Sequence, residues 1–187
     1  MRKVTVFNHV SLDGYFTDKN SDMSWAHAND DPEWNAFTAE NAKGGGLLLF
    51  GRKTYEMMAG YWPTPAAIKQ FPEIAEGMNS QPKVVFSRTL DKAAWKNTKL
   101  VKSDPSAEVR KMKKESGKDM VIMGSGTIVS QLAQAGLIDE LQIVVNPIIV
   151  GEGRTLFEGV KNKVPLKETK TRTFKNGSVL MCYEPKV

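Results

Sequence analysis

The chain has 187 residues, 41% hydrophobic and 25% charged, which is enough for one sizeable core and excludes disordered or collagen-like classes. No apolar run approaches the roughly 20 residues that span a bilayer, and one cysteine with two histidines excludes an internal disulfide and a multi-cysteine zinc site, so no metal and no membrane partner are expected. The formal charge of +5 is spread along the chain apart from Arg110–Lys114, a solvated helix face, and suits a small phosphorylated ligand rather than nucleic acid.

Met1 to Phe7 runs straight into a strand pattern with no small-residue cleavage site, so no signal peptide is expected and a cytoplasmic location is the default. The first strand covers Lys3 to Leu12, with Val4 and Val6 alternating with Thr5 and Phe7. Ser11-Leu12-Asp13-Gly14 breaks it at an Asp-Gly turn. A polar loop carrying Trp25 follows through Asn29. Asp30-Asp31-Pro32-Glu33 has the order N-cap, first helical position, acidic first turn, and predicts a helix from Pro32 to about Lys43, ended by Gly44-Gly45-Gly46. Leu47 to Phe50 is a second, wholly apolar strand, and Gly51-Arg52-Lys53-Thr54 turns from it into a helix. Tyr61 to Gln81, dense in proline and glycine, is expected to be a long connection with one helical turn near Ile68 to Phe71. Strands at Lys83–Ser87 and Thr98–Val101 precede a helix from Asp104-Pro105 to about Glu115.

The fifth strand, Asp119 to Met123, meets Gly124-Ser125-Gly126, after which Ile128, Val129, Leu132 and Ala135 share one side of a helix that Gly136 ends. The sixth strand runs from Leu141 to Val150, interrupted at Asn146-Pro147 and ended by Gly151-Glu152-Gly153. The tail is a hairpin, Lys167–Lys175 and Ser178–Glu184, about an Asn176-Gly177 turn. Strands that alternate with helices before a closing hairpin predict an α/β fold in one domain over residues 1–187. The central sheet is mostly parallel, the C-terminal hairpin antiparallel, and helices cover both faces.

Three strand ends carry the chemistry. Gly51-Arg52-Lys53-Thr54, Ser87-Arg88 and Gly124-Ser125-Gly126-Thr127 each offer backbone N–H groups and a hydroxyl, and two add a guanidinium, which together suit phosphate. Ligands of open α/β sheets bind beyond the carboxyl ends of the strands, so parallel strands here put all three segments on one rim. The glycines beside Ser125 let a ligand approach the backbone, and the helix behind them points free N–H groups at the turn. A nucleotide with several phosphates is expected, held by Gly51, Arg52, Thr54, Ser87, Arg88 and Met123 to Ile128. No Gly-x-Gly-x-x-Gly follows the first strand, and arginines stand at the strand ends where an acidic residue would hold a ribose diol. They favour a 2′-phosphate, hence NADP over NAD, by roughly tenfold to a hundredfold. A surface ion pair is the structural alternative for each arginine.

These segments, extended to Tyr55 and Ile128, look like the three NADPH-binding segments of dihydrofolate reductases, in the same order. Trp25 and Asp31-Pro32-Glu33-Trp34 fall roughly where those enzymes carry their substrate-side tryptophan and acidic residue. Ser11-Leu12-Asp13-Gly14, Ile138-Asp139-Glu140-Leu141, Pro147 and Gly151-x-Gly153 resemble the reductase domain of the bacterial bifunctional riboflavin-biosynthesis deaminase-reductase and its small stand-alone relatives. The resemblance covers nearly the whole chain. It implies a dihydrofolate-reductase-like fold, a homodimer, and NADPH-dependent hydride transfer to a small nitrogen heterocycle. That heterocycle is of the 5-amino-6-(5-phosphoribosylamino)uracil type, or else a pterin; a module that binds NADPH without turnover is the further alternative. The chain departs from the pattern at Ser125, where a glycine is usual, and at Val129, where dihydrofolate reductases place a tyrosine near the nicotinamide. It has no His-x-Glu with Pro-Cys-x-x-Cys, so deamination by that chemistry is not expected.

On this reading the nicotinamide lies between the first strand and the Gly124 turn, with Asn8, Val10, Asp13 and Gly14 near the reacting centre. Asp13 bonds substrate amino groups or relays a proton, or is simply a turn former. Asp31 takes the acidic role, or is a helix N-cap. Trp25 stacks on the heterocycle or anchors its loop. Asn146 reaches the substrate from the sixth strand, or marks a bulge at Pro147. His9 reads as a buried structural histidine. Gly126→Val is expected to abolish cofactor binding in a protein that still folds.

Overall fold

The computed structural model describes residues 1–27 and 31–186; Asn29 and Asp30 of the reading above lie outside them. In chain order the elements are β1 (Val4–Ser11), β2 (Tyr15–Asp18), a 3-10 turn (Ser24–His27), α1 (Pro32–Lys43), β3 (Leu47–Gly51), α2 (Arg52–Tyr61), α3 (Pro65–Gln70), α4 (Pro72–Ser80), β4 (Lys83–Phe86), β5 (Thr98–Val101), α5 (Pro105–Lys114), β6 (Met120–Met123), α6 (Gly126–Gln134), β7 (Glu140–Asn146), β8 (Gly153–Thr155), β9 (Leu166–Thr173) and β10 (Val179–Pro185).

One sheet has the order β5-β4-β3-β6-β1-β7-β10-β9. Its first six strands are mutually parallel; β10 runs antiparallel to β7, and β9 antiparallel to β10. The central strands read as near-continuous apolar runs because both faces are covered. Val4, Val6, Leu49 and Ile122 pack under Val109 and Met112 of α5 and Ile128, Val129 and Leu132 of α6. On the other face Leu48, Phe50 and Val85 meet Tyr55 of α2 and Met78 of α4. There too Phe7 and Val144 pack with Trp34 and Phe37 of α1 and Phe174 of the tail. Among the described residues no helix is long and apolar enough to cross a membrane.

The fold differs from the sequence reading in four places. Tyr61–Gln81 holds two helices rather than one turn: Pro65 and Pro72 each stand in the first helical turn, where their missing N–H costs nothing, and the Thr64 hydroxyl caps α3 by accepting from the Ala67 N–H at 3.2 Å. The loop after Asp13 contains β2, which pairs antiparallel with β8, a strand formed where Gly153 was expected only to end an element. β7 stops at Asn146 rather than Val150, since Pro147 has no N–H for a ladder. The tail hairpin turns through the three residues 175–177, with Phe174 and Ser178 bonded across it and Gly177 at φ 86°.

Candidate active site

β4, β3 and β6 are neighbours and parallel, with Gly51 beside Phe86 and Leu49 beside Ile122. Their carboxyl ends therefore deliver Ser87-Arg88, Gly51-Arg52 and Gly124-Ser125 side by side on one rim, at strand spacings of about 4.8 Å. β1 follows on the far side of β6, with Phe7 beside Met123, so Asn8 sits next to the Gly124 turn.

Asn8 continues the inward face of Val4 and Val6 and is buried. Its Oδ1 accepts the Gly124 N–H at 3.0 Å, while its Nδ2 has no partner among the described residues. A buried amide donor without a protein partner calls for an acceptor from a ligand or a water. At α6 the Ile128 and Val129 N–H groups both reach the Ser125 carbonyl, at 2.9 and 3.0 Å, and no side chain caps the helix. The Gly126 and Thr127 N–H groups thus have no partner among the described residues, and they carry the positive end of the helix dipole. Arg52 and Arg88 are exposed, and neither has a carboxylate partner among the described residues, so the ion-pair alternative is not realised there. The Ser87 hydroxyl accepts from the Thr89 and Leu90 N–H groups at 3.2 and 3.0 Å and so shapes the Arg88 turn.

The two glycines of the β6–α6 turn are also required by packing. A Cβ on Gly124 would lie 2.6 Å from Thr54 Cγ2, and one on Gly126 would lie 3.0 Å from Phe16 Cε1. Protein atoms fill the space that a side chain at either position would take. Gly126→Val would break the packing of Phe16, so a cleanly folded variant that has lost only its ligand is no longer the expectation. Met123 is half-buried in the α2 side of the core and Ile128 is buried on the core-facing side of α6, so both act as walls.

On the β1 side the carboxylates are consumed. Asp13 accepts from Ser11 Oγ at 2.6 Å, Val150 N at 3.0 Å and Gly151 N at 2.7 Å. The bond from the Ser11 hydroxyl, then those from the two backbone amides, lower its pKa to about 2. It is ionised at neutral pH and has no proton to relay; it ties the turn after β1 to the loop after β7. Asp31 is buried, one oxygen capping α1 at Glu33 N (3.0 Å) and the other holding Asn176 N (3.1 Å), so it is the N-cap of the alternative reading and also anchors the hairpin. The Asn146 amide is likewise spent: Nδ2 lies 3.1 Å from the Val10 carbonyl and 3.2 Å from that of Val144, and the side chain is buried between β1 and β7 rather than turned to a ligand. His9 is buried edge-on to Phe7 and Trp34. Val10 is half-buried against the α6 side of the core, and Gly14 is exposed at φ 89°. Trp25 is partly exposed, but its Nε1 is buried with no partner among the described residues, a second leftover donor.

Sequence reasoning missed the β2–β8 pair. It sets Phe16 and the Leu156 carbonyl, which accepts from Ser130 Oγ at 3.3 Å, over the start of α6. No local signal marks it, because each strand is too short to show a period.

Known proteins resemble this chain along its length. The protein YyaP of Bacillus subtilis is 30% identical over 186 residues, spanning 97% of this chain and 94% of its own. A solved structure of a candidate riboflavin biosynthesis protein of Shewanella sp. PV-4 superposes with a TM-score of 0.75 at 23% identity, covering 99% of both chains. The Thermotoga maritima diaminohydroxyphosphoribosylaminopyrimidine deaminase/5-amino-6-(5-phosphoribosylamino)uracil reductase superposes at 0.70 with 15% identity, matching 99% of this chain and 57% of that one. Residues 2–180 match the model of the RibD C-terminal domain, and on a match of that extent the chain belongs to the RibD C-terminal domain family, with a dihydrofolate-reductase-like fold.

Proposed function

We propose that the protein is an NADPH-dependent reductase of a small nitrogen heterocycle, most closely of the 5-amino-6-(5-phosphoribosylamino)uracil reductase type. The observation that carries this reading is the side-by-side placement of the uncapped start of α6 with two guanidinium groups that have no carboxylate partner among the described residues, all on one rim. The residues present fit a phosphorylated dinucleotide. The Gly126 and Thr127 N–H groups would hold its diphosphate, Arg52 and Arg88 its 2′-phosphate, and the leftover Asn8 donor a carbonyl of the nicotinamide end. The bound cofactor supplies the hydride. The chain's part is to orient and to shield.

Two features favour a pyrimidine over a pterin. Asp13 and Asp31, the candidates for pairing with the amino-bearing edge of a pterin, already accept three and two hydrogen bonds from the chain itself. The leftover group not assigned to the cofactor, Trp25 Nε1, is a donor and calls for a carbonyl acceptor. The name of the Thermotoga maritima protein agrees with such a ring. With Asp13 ionised, solvent supplies any proton. That same ionisation favours the second reading, a module that binds NADPH without turning it over.

The test is loss of absorbance at the reduced-nicotinamide band when aminopyrimidine substrates and pterins are added to protein and NADPH, with calorimetry of NADPH alone. Oxidation with the pyrimidine supports the first reading. Tight binding without oxidation by any heterocycle supports the second, and no NADPH binding sinks both. The proposal includes a cytoplasmic homodimer, which sedimentation would detect.

A further inference from the structure

Ser125 stands at φ 65° and ψ 65°, a left-handed conformation disfavoured for a residue with a Cβ. It is also the N-cap of α6, where a serine normally turns its hydroxyl onto the first N–H groups of its own helix. It does not do so here. The hydroxyl reaches sideways to the neighbouring strand end, accepts the Gly51 N–H at 2.6 Å and donates to Thr54 Oγ1 at 3.0 Å. It is closely seated: a Cβ on Gly51 would lie 2.9 Å from it. An oxygen that accepts a backbone N–H at a strand-to-helix turn, with a second hydroxyl beside it, stands where an oxygen of a bound anion would stand.

We propose that the Ser125 hydroxyl is an internal occupant of the anion cradle, holding the Gly51 N–H and the Thr54 hydroxyl until a diphosphate displaces it. The inference rests on the reading of this rim as a dinucleotide site. Displacement exchanges a neutral hydrogen bond at the Gly51 N–H for a charge-assisted one. Ser125 is then an affinity-setting residue. It lowers the affinity for every ligand and selects those with enough negative charge to move it.

Calorimetric titration of NADPH into the wild type, Ser125→Gly and Ser125→Ala tests this, with thermal melts of the unliganded proteins to show that each is folded. Alanine removes the hydroxyl and keeps the backbone strain; glycine removes both. Both variants should bind NADPH roughly threefold to tenfold more tightly than wild type, the size expected for one neutral hydrogen bond no longer broken on binding. A hydroxyl that merely braced the turn would give the opposite sign. Equal or weaker binding by both variants overturns the proposal, as does a gain confined to glycine, which would assign it to the backbone. If all three proteins bind without a gain, only this inference falls. If none binds, the dinucleotide reading fails and takes this inference with it.

Discussion

Replacing Gly124 with alanine probes the point where the β6–α6 turn meets the β3–α2 turn. Two separate costs are expected. Gly124 has φ 66°, where a Cβ costs about 1–2 kcal/mol. The added Cβ would also lie 2.6 Å from Thr54 Cγ2 and 2.7 Å from Thr54 Oγ1, well inside contact distance, and the Thr54 hydroxyl is held by Ser125 and cannot swing away freely. Overpacking of this kind costs about 1–3 kcal/mol. The sum is about 2–5 kcal/mol, or a melting temperature lower by roughly 5–15 °C for a chain of this size. Thr54→Ala removes both colliding atoms and leaves the dihedral unchanged. The double variant should therefore recover the packing share and keep the backbone share, giving a coupling of about 1–3 kcal/mol. Thermal unfolding of the four proteins, followed by circular dichroism, measures it. A Gly124→Ala protein that melts with the wild type, or a coupling within about 0.5 kcal/mol of zero, would refute the account of why glycine stands there.

Arg52→Ala and Arg88→Ala should each weaken NADPH by roughly tenfold to a hundredfold and leave NADH nearly unchanged; equal losses for the two cofactors in titrations would contradict the 2′-phosphate assignment. Asp13→Asn should raise the hydrogen-exchange rates of the Val150 and Gly151 amides, because the carboxylate holds both. Its folded pKa, about 2, lies below the ordinary 3.8, so its contribution is present above pH 3.8 and is lost as pH falls through 2. The variant should lack that part of the acid limb in a pH series of melts. Burial lowers the Lys83 ammonium from 10.5 to about 8, where its Nζ lies 2.7 Å from the Gln81 carbonyl and over the Trp95 ring. The unfolded chain binds more protons between those values, so stability rises with pH from 8 to 10.5. Urea unfolding of Lys83→Met across that window should show a shallower rise than wild type; parallel curves would refute it.

Much of the architecture was legible locally. Asp31-Pro32-Glu33 marks the start of α1 because cap, fixed φ and dipole act within one turn. The apolar runs Leu47–Phe50 and Met120–Met123 report strands covered on both faces. The proline-rich stretch before β4 was misread because a proline signals the start of a helix as well as the end of one, and only the residues after it decide which. β2 and β8 were invisible because their stability comes from each other.

Sequence alone determined the kinds of elements, most of their ends, and the segments that meet at the strand tips, since these follow from burial period and turn chemistry within a few residues. Only tertiary structure decided which polar groups remain free. Asp13 is spent on amides 137 and 138 residues away, and Asp31 on one 145 residues away. Asn8 and the start of α6 have donors without a partner among the described residues. Hydrogen-bonding capacity is written in a residue type; its availability depends on which distant backbone packing brings within 3 Å.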